Sequence, residues 1–84
     1  MVDEDKVVHI RYFALLREER GVANESVRTR SQTARQLFDE LSRAHNFSLG
    51  QERLNVAVNE EFASWDTKLT NEDIVVFIPP VAGG

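Results

Sequence analysis

The strongest chemical signal in the sequence is a diglycine that follows a stiff, apolar segment. The last six residues are Pro79-Pro80, Val81-Ala82 and Gly83-Gly84. Because glycine has no Cβ, its backbone can pass through a channel too narrow for other residues. Because proline restricts φ and lacks a backbone donor, Pro79-Pro80 should hold the chain extended and away from a sheet. We therefore expect residues 79–84 to form a flexible tail that presents the carboxylate of Gly84 as a reactive group.

The composition of the chain limits its fold class and excludes several functions. Its 84 residues, 42% hydrophobic and 29% charged, predict one soluble globular domain with a modest core. The absence of cysteine excludes disulfides, iron–sulfur clusters and a thiol nucleophile. A net charge of −4 argues against nucleic-acid binding, which needs a basic surface. No apolar run or signal-peptide pattern suggests a membrane, so we expect a cytoplasmic protein.

Alternating and apolar segments predict four or five strands. The first alternates between an apolar face and a second face that includes Phe13, and the last is apolar on both faces. In chain order the strand patterns cover residues 6–14, 22–28, 54–59, 62–65 and 74–78. Residues 1–6 are polar and predict a loose lead-in, so the domain itself should span residues 1–78.

Two helices are expected between these strands. The shorter covers residues 15–20 and should end at Gly21. The longer opens with Thr33 and Gln36, which have the spacing of a capping box. An apolar stripe at helical spacing follows, formed by Ala34, Leu37, Phe38, Leu41 and Ala44.

One main helix can cover only one face of such a sheet, so the pattern predicts a two-layer α+β domain. The other face would then be open to solvent or to a partner. A last strand that is apolar on both faces is expected only where both faces are covered. Because the domain is small, we expect another protein to supply the second cover.

Three segments resemble the small subunit of molybdopterin synthase. Residues 69–84 match its C-terminal pattern of leucine, acidic turn, apolar strand and Pro-Pro-Val-x-Gly-Gly. Residues 8–18 resemble its first strand and the following turn, and residues 56–59 resemble a strand that ends in asparagine. The resemblance implies a ubiquitin-like β-grasp fold, with a mixed four- to five-stranded sheet packed on one main helix and an extended C-terminal tail.

The resemblance also implies a sulfur-carrier role. A ubiquitin-activating-like adenylyltransferase would use ATP to adenylate Gly84, and a persulfide donor would convert it to a thiocarboxylate. The tail would then enter the large synthase subunit, in a heterotetramer, and give sulfur to cyclic pyranopterin monophosphate. Gly83 would let the tail pass a narrow gate. The chain would bind no cofactor and would not be catalytic alone.

By the same resemblance, Phe13, Phe62 and Ile78 form a partner-binding patch beside the tail. The alternative is that each is an ordinary core residue. Arg17 matches a basic family position and either serves the interface or forms a plain surface ion pair. His9 and His45 are far apart in sequence and no cysteine accompanies them, so no metal site is expected.

Three other functions stay open at this stage. The first is a related sulfur carrier for thiamin or for tRNA thiolation, although the Pro-Pro-Val-x-Gly-Gly ending is less usual there. The second is a protein modifier that is joined to lysines through Gly84. The third is an interaction module whose C-terminus is chemically idle.

Overall fold

The computed structural model describes residues 5–80, which form an α+β domain with one five-stranded sheet. The predicted fold class is therefore confirmed. The helices are α1 (Ala14–Arg20) and α2 (Ala34–His45), and a 3₁₀ turn covers Gln51–Arg53. The strands are β1 (Lys6–Tyr12), β2 (Asn24–Thr29), β3 (Asn55–Val58), β4 (Glu61–Ala63) and β5 (Ile74–Ile78).

The sheet is mixed and places β5 at its centre. The strand order is β2-β1-β5-β3-β4. Strands β1 and β5 run parallel, and the other neighbouring pairs run antiparallel. Since β5 ends at Ile78, where the tail is predicted to begin, Pro79-Pro80 leaves from the middle of the sheet rather than from an edge.

Helix α2 and the aromatic side chains around it fill the core on one face of the sheet. The ring of Phe38 on α2 lies 5.2 Å from that of Phe77 on β5. Trp65 stacks on Phe77 at 6.0 Å, with an interplanar angle of 9°. Because Phe77 is fully buried between these rings, β5 is fixed to the helix through its core-facing side chains.

The beginning of α2 differs in detail from the capping box that the sequence predicts. The Thr33 hydroxyl accepts a hydrogen bond from the backbone N–H of Gln36 at 3.2 Å, as expected. However, the Gln36 side chain accepts from the backbone N–H of Gln32, at 2.8 Å, rather than from that of Thr33. Thr33 instead forms an isolated β-bridge with Lys68, which ties the start of α2 to the loop before β5.

The predicted apolar stripe of α2 is wrong at its last residue, because Ala44 is exposed. The helix ends at Asn46, which adopts a left-handed backbone with φ of 59°. The turn brings Phe47 into the core, where its ring stacks on Phe38 at 5.9 Å. Phe47 thus occupies the space that an extension of the stripe would have filled.

Strand β1 begins at Lys6, as its alternation predicts, but the predicted lead-in ends one residue too late and the predicted strand runs two residues too far. Lys6 belongs to the strand rather than to a lead-in, since it pairs with Thr29 and its Nζ donates to the carbonyl of Ser31 at 2.9 Å. Ala14 lies outside the strand, because its φ of 52° turns the chain into α1. Neither helix within residues 5–80 is long and apolar enough to cross a membrane.

Candidate functional site

The face of the sheet opposite α2, here called the open face, carries the three predicted apolar partner-binding residues Phe13, Phe62 and Ile78. Because side chains alternate along a strand, residues next to the buried Phe77 and Val75 point to this face. The strand register aligns one residue from each strand in a row across the open face. From the β2 edge to the β4 edge, this row contains Asn24, Arg11, Val76, Ala57 and Phe62.

Phe62 is the most exposed large apolar side chain in the described part of the chain. It lies on β4 opposite Ala57 and leaves 77% of its surface accessible. The possibility that Phe62 is a core residue is therefore wrong. Ala57 is only 8% exposed although it faces away from α2, so Phe62 and Ala57 form a continuous apolar surface with Val76.

Phe13 and Ile78 extend this surface toward the tail. Tyr12 pairs with Phe77, so continuing the parallel register by one residue places Phe13 beside Ile78. Phe13 keeps an extended backbone and is 48% exposed, whereas Ile78 is half-buried. We define the open-face patch as Phe13, Ala57, Phe62, Val76 and Ile78.

Arg17 does not join the open-face patch through any contact among residues 5–80. Its backbone carbonyl accepts from Gly21 N–H at 2.9 Å, which ends α1 at a glycine with φ of 88°. Its side chain is exposed and forms no ion pair with a described residue, so the surface ion-pair alternative finds no partner there.

The predicted tail is only partly described. Pro79 is half-buried and Pro80 is exposed. Val81, Ala82, Gly83 and Gly84 lie outside the described residues, so their predicted roles stay predictions.

A buried hydrogen-bond cluster around Asp73 positions the start of β5. Its carboxylate accepts from the backbone N–H and the hydroxyl of Thr70, at 2.7 and 3.0 Å, and from the Asn59 side chain at 2.9 Å. Burial by itself would raise the pKa of Asp73, but these hydrogen bonds outweigh it and lower the pKa. The Asn59 side-chain oxygen accepts from Ile74 N–H at 2.9 Å, so the cluster joins β5 to the β3–β4 turn.

That turn explains why Asn59 can reach Asp73. Asn59 and Glu60 have φ of 53° and 74°, the positive values that two-residue hairpin turns of type I′ require. Asparagine tolerates this backbone better than most residues. The turn therefore fixes the register that places Phe62 opposite Ala57.

A polar groove of about 560 Å³ adjoins the open-face patch and was not predicted from the sequence. The His9 ring lies between the Ser26 hydroxyl and the Glu72 carboxylate, with both contacts at 2.7 Å. Arg11 and Ile74 line the same groove. Alternation could have placed His9 and Arg11 on one face, but their neighbours Ser26 and Glu72 depend on strand pairing across 17 and 63 residues of sequence.

On the core side of the same strands, Glu25 joins Tyr12 to Arg20. The Tyr12 hydroxyl donates to Glu25 at 2.6 Å, and Arg20 donates twice to the same carboxylate. The hydrogen bond from Arg20 is the main cause that lowers the pKa of Glu25, whereas burial and the nearby carboxylate raise the pKa of Tyr12. The carboxylate of Glu25 is thus used within the fold.

Within residues 5–80, no group of three His, Cys, Asp or Glu side chains could hold a metal ion. The described site thus consists of an exposed apolar patch next to Pro79-Pro80, with the groove beside it.

Comparison with known proteins agrees with this geometry. The model of the ThiS family matches residues 10–84, which includes the tail. The chain belongs to this family. Its members are sulfur carriers with a ubiquitin-like β-grasp fold, so the predicted fold and the predicted family resemblance are confirmed. No curated protein matches the sequence.

Solved structures of similar proteins show the same architecture. A putative molybdopterin converting factor subunit 1 from Pyrococcus furiosus is 30% identical, with a TM-score of 0.77 over 90% of this chain and 99% of that one. SAMP1 from Haloferax volcanii is 26% identical, with a TM-score of 0.75 over 93% and 99%. The HVO 2177 protein of Haloferax volcanii is 25% identical, with a TM-score of 0.81 over 95% and 88%.

Proposed function

We propose that this sulfur carrier is the small subunit of molybdopterin synthase and that Gly84 carries the sulfur. The observation that carries the proposal is the path of β5. This central strand contributes Val76 and Ile78 to the open-face patch and leads directly into Pro79-Pro80. A partner that covers the patch would therefore also receive the tail.

The relatives support this choice among sulfur carriers. The family match extends through Gly84, and the Pyrococcus furiosus relative bears the name molybdopterin converting factor subunit 1. The Pro-Pro-Val-x-Gly-Gly ending points to the same subunit. In this proposal the large subunit supplies the pterin site, and the two subunits assemble as a heterotetramer.

The chemistry requires no catalytic side chain of this domain. A carboxylate oxygen of Gly84 attacks the α-phosphorus of ATP in the adenylyltransferase and releases pyrophosphate. The terminal sulfur of a persulfide donor then displaces AMP to form an acyl disulfide. A second thiol of the donor attacks the donor-side sulfur, which forms a donor disulfide and releases the thiocarboxylate, a better nucleophile than the carboxylate. In the large subunit this sulfur is transferred to cyclic pyranopterin monophosphate. The partners provide the nucleotide site and the charge stabilisation for acyl transfer.

Intact-mass analysis tests the first half of this sequence. The chain is incubated with the adenylyltransferase, ATP and a persulfide donor. We expect a mass gain equal to the exchange of one oxygen for sulfur, located at Gly84 by fragmentation. Gly84→Ala and Gly83→Ala should fold normally but react slowly, because the added methyl group obstructs a narrow channel. Unchanged mass in the wild type would refute the carrier role, and full activity of both variants would refute the steric role.

A second candidate function is protein modification. It is favoured by the likeness to SAMP1, which a related structure names small archaeal modifier protein 1. In this case a lysine amine of a target would displace AMP from the adenylated Gly84 and form an amide. Purification from cells separates the two functions. A synthase subunit should co-purify with one larger pterin-binding protein, whereas a modifier should appear as a ladder of conjugates.

A further inference from the structure

Arg11 is a positive charge on the open face, next to the central strand β5, with no ionic partner among residues 5–80. It lies on β1, with Asn24 as its neighbour on β2 and Val76 as its neighbour on β5. Its side chain is exposed and forms no hydrogen bond or ion pair with any of residues 5–80. Arg11 also lines the polar groove, so its side chain lies between that groove and the apolar patch.

The two acidic residues that line the groove with Arg11 are engaged with other side chains. Glu25, which shares the groove, accepts hydrogen bonds from Arg20 and Tyr12 on the core side of β2. Glu72 lies 2.7 Å from the Nε2 atom of His9. The fold thus leaves the guanidinium of Arg11 available on a chain whose net charge is −4.

The row across the open face sets a distance between this charge and the aromatic end of the patch. Arg11, Val76, Ala57 and Phe62 come from four adjacent strands. Since neighbouring strands are spaced about 4.8 Å apart, the backbones of Arg11 and Phe62 are separated by roughly 14 Å. Apolar side chains fill the interval, so both ends can contact a single protein surface.

We propose that Arg11 is a specificity-determining residue, which binds an aspartate or glutamate that the partner protein places beside an apolar segment. The apolar segment covers Val76, Ala57 and Phe62, and the carboxylate accepts hydrogen bonds from the guanidinium. Arginine suits this role because its planar fork binds a carboxylate through two parallel hydrogen bonds. This inference rests on the proposed function, in which the open face docks the large synthase subunit.

The surroundings of Arg11 favour a protein carboxylate over a free anion. The groove is open and continuous with the patch, so a small anion would leave the adjoining apolar row in contact with water. A protein surface covers both and removes water from around the ion pair, which strengthens it. The same charge would repel partners that present lysine or arginine at this point.

Rates of association and dissociation with the purified adenylyltransferase and the purified large subunit test the inference. Three variants are compared with the wild type: Arg11→Leu, Arg11→Glu and Phe62→Ala. We expect Arg11→Leu to weaken binding to the large subunit by about tenfold, mostly through faster dissociation, and Arg11→Glu to weaken it further. An effect on the adenylyltransferase alone would overturn the assignment to the large subunit. The remaining affinity of Arg11→Leu should depend less on salt than that of the wild type.

Arg28→Glu is the matched control for net charge. Arg28 is exposed on the same face of β2 and is likewise unpaired among the described residues. It lies four residues from Asn24, or roughly 13 Å along the strand, which exceeds the screening length of about 8 Å at physiological salt. Arg28→Glu should therefore change affinity by less than about twofold.

The outcomes separate the inference from the proposed function. If Phe62→Ala weakens binding and Arg11→Glu does not, the patch docks the partner but the role of Arg11 is refuted. If neither variant weakens binding, the open face is not the docking surface, and both the proposed mode of docking and the role of Arg11 are refuted. If Arg11→Glu and Arg28→Glu weaken binding equally, the effect comes from net charge and the specific role of Arg11 is refuted.

Restoration of Arg11→Glu binding by exchanging one partner carboxylate for lysine would identify the residue that Arg11 contacts. Competition by millimolar phosphate that disappears in Arg11→Leu would instead assign the site to a free anion.

Discussion

The two faces of the sheet carry apolar side chains from the same strands but use them differently. On the covered face, Phe77 contacts the rings of Phe38 and Trp65 and is fully buried. On the open face, Val76 is only half-buried and Phe62 remains largely exposed. The apolar side chains of the covered face are therefore buried by the chain itself, whereas those of the open face are left partly uncovered by residues 5–80.

This difference shows why apolar content alone does not define a core. Residues of β5 are apolar at every position, yet only Val75 and Phe77 are buried by α2 and its loops. Substitutions on the covered face should reduce folding stability, and substitutions on the open face should reduce partner affinity. Four predictions follow this division, in order of decreasing effect.

Phe77→Ala should give the largest loss. Removing a buried phenylalanine leaves a cavity beside Phe38 and Trp65 and should lower the free energy of unfolding by about 3–5 kcal/mol. Denaturant unfolding followed by circular dichroism measures this value. Val76→Ala, the neighbouring residue on the other face, is the control and should cost less than about 1 kcal/mol. Equal losses in the two variants would contradict the division between faces.

Asp73→Asn should have the next largest effect, because Asp73 joins β5 to the turn beneath the open face. The carboxylate accepts three hydrogen bonds, and loss of its charge should lower the free energy of unfolding by about 1–3 kcal/mol. Thermal and denaturant unfolding at neutral pH measure the loss.

The pH dependence of stability provides a check on Asp73. Its pKa is lower in the folded state, so its contribution is complete above the unfolded pKa of about 3.9 and is lost as pH falls through the folded pKa. The difference in unfolding free energy between wild type and Asp73→Asn should therefore shrink in strong acid. A constant difference from neutral pH to strong acid would show that the carboxylate charge is not responsible.

Phe62→Ala should change binding rather than folding. The side chain is 77% exposed, so the free energy of unfolding should shift by no more than about 0.5 kcal/mol. Affinity for the large subunit should fall by about tenfold or more, as expected for an aromatic residue at an interface. Calorimetric titration measures the affinity. A strong loss of stability with unchanged affinity would show that Phe62 stabilises the fold and does not contribute to partner binding.

Asp66→Asn should have the smallest effect, although it lies on the side of the sheet that α2 covers. Asp66 pairs with Arg35 at 2.8 Å, but the two side chains are 75% and 46% exposed. Such pairs contribute little, so the free energy of unfolding should change by less than about 0.5 kcal/mol. The variant also serves as the matched control for Asp73→Asn. A loss as large as that of Asp73→Asn would show that burial does not distinguish the two carboxylates.

Local patterns in the sequence were sufficient for most elements of the fold. The alternation in β1, the apolar run in β5 and the stop at Gly21 each depend on neighbouring residues, and the structure has them where expected. The exposure of Phe13 and Phe62 followed from alternation together with family resemblance.

Features that depend on distant residues could not be predicted. Phe47, rather than Ala44, enters the core beside Tyr12 of β1, and helical spacing alone does not show this long-range contact. The contact of Asp73 with Asn59 requires the pairing of β3 with β5, and the groove around His9 requires the pairing of β1 with β2 and β5. The lack of an ionic partner for Arg11 among residues 5–80 likewise depends on the long-range contact of Glu72 with His9 and on the pairing of Glu25 with Arg20.

The central claim is that docking belongs to the open face and chemistry belongs to Gly84. It is tested most directly by conversion of cyclic pyranopterin monophosphate with the large subunit, the adenylyltransferase, ATP and a persulfide donor. We expect the full chain to support molybdopterin formation. A variant without Gly83 and Gly84 should still bind the large subunit through the open-face patch but form no molybdopterin. Molybdopterin formation by the truncated variant at the wild-type rate would contradict the claim.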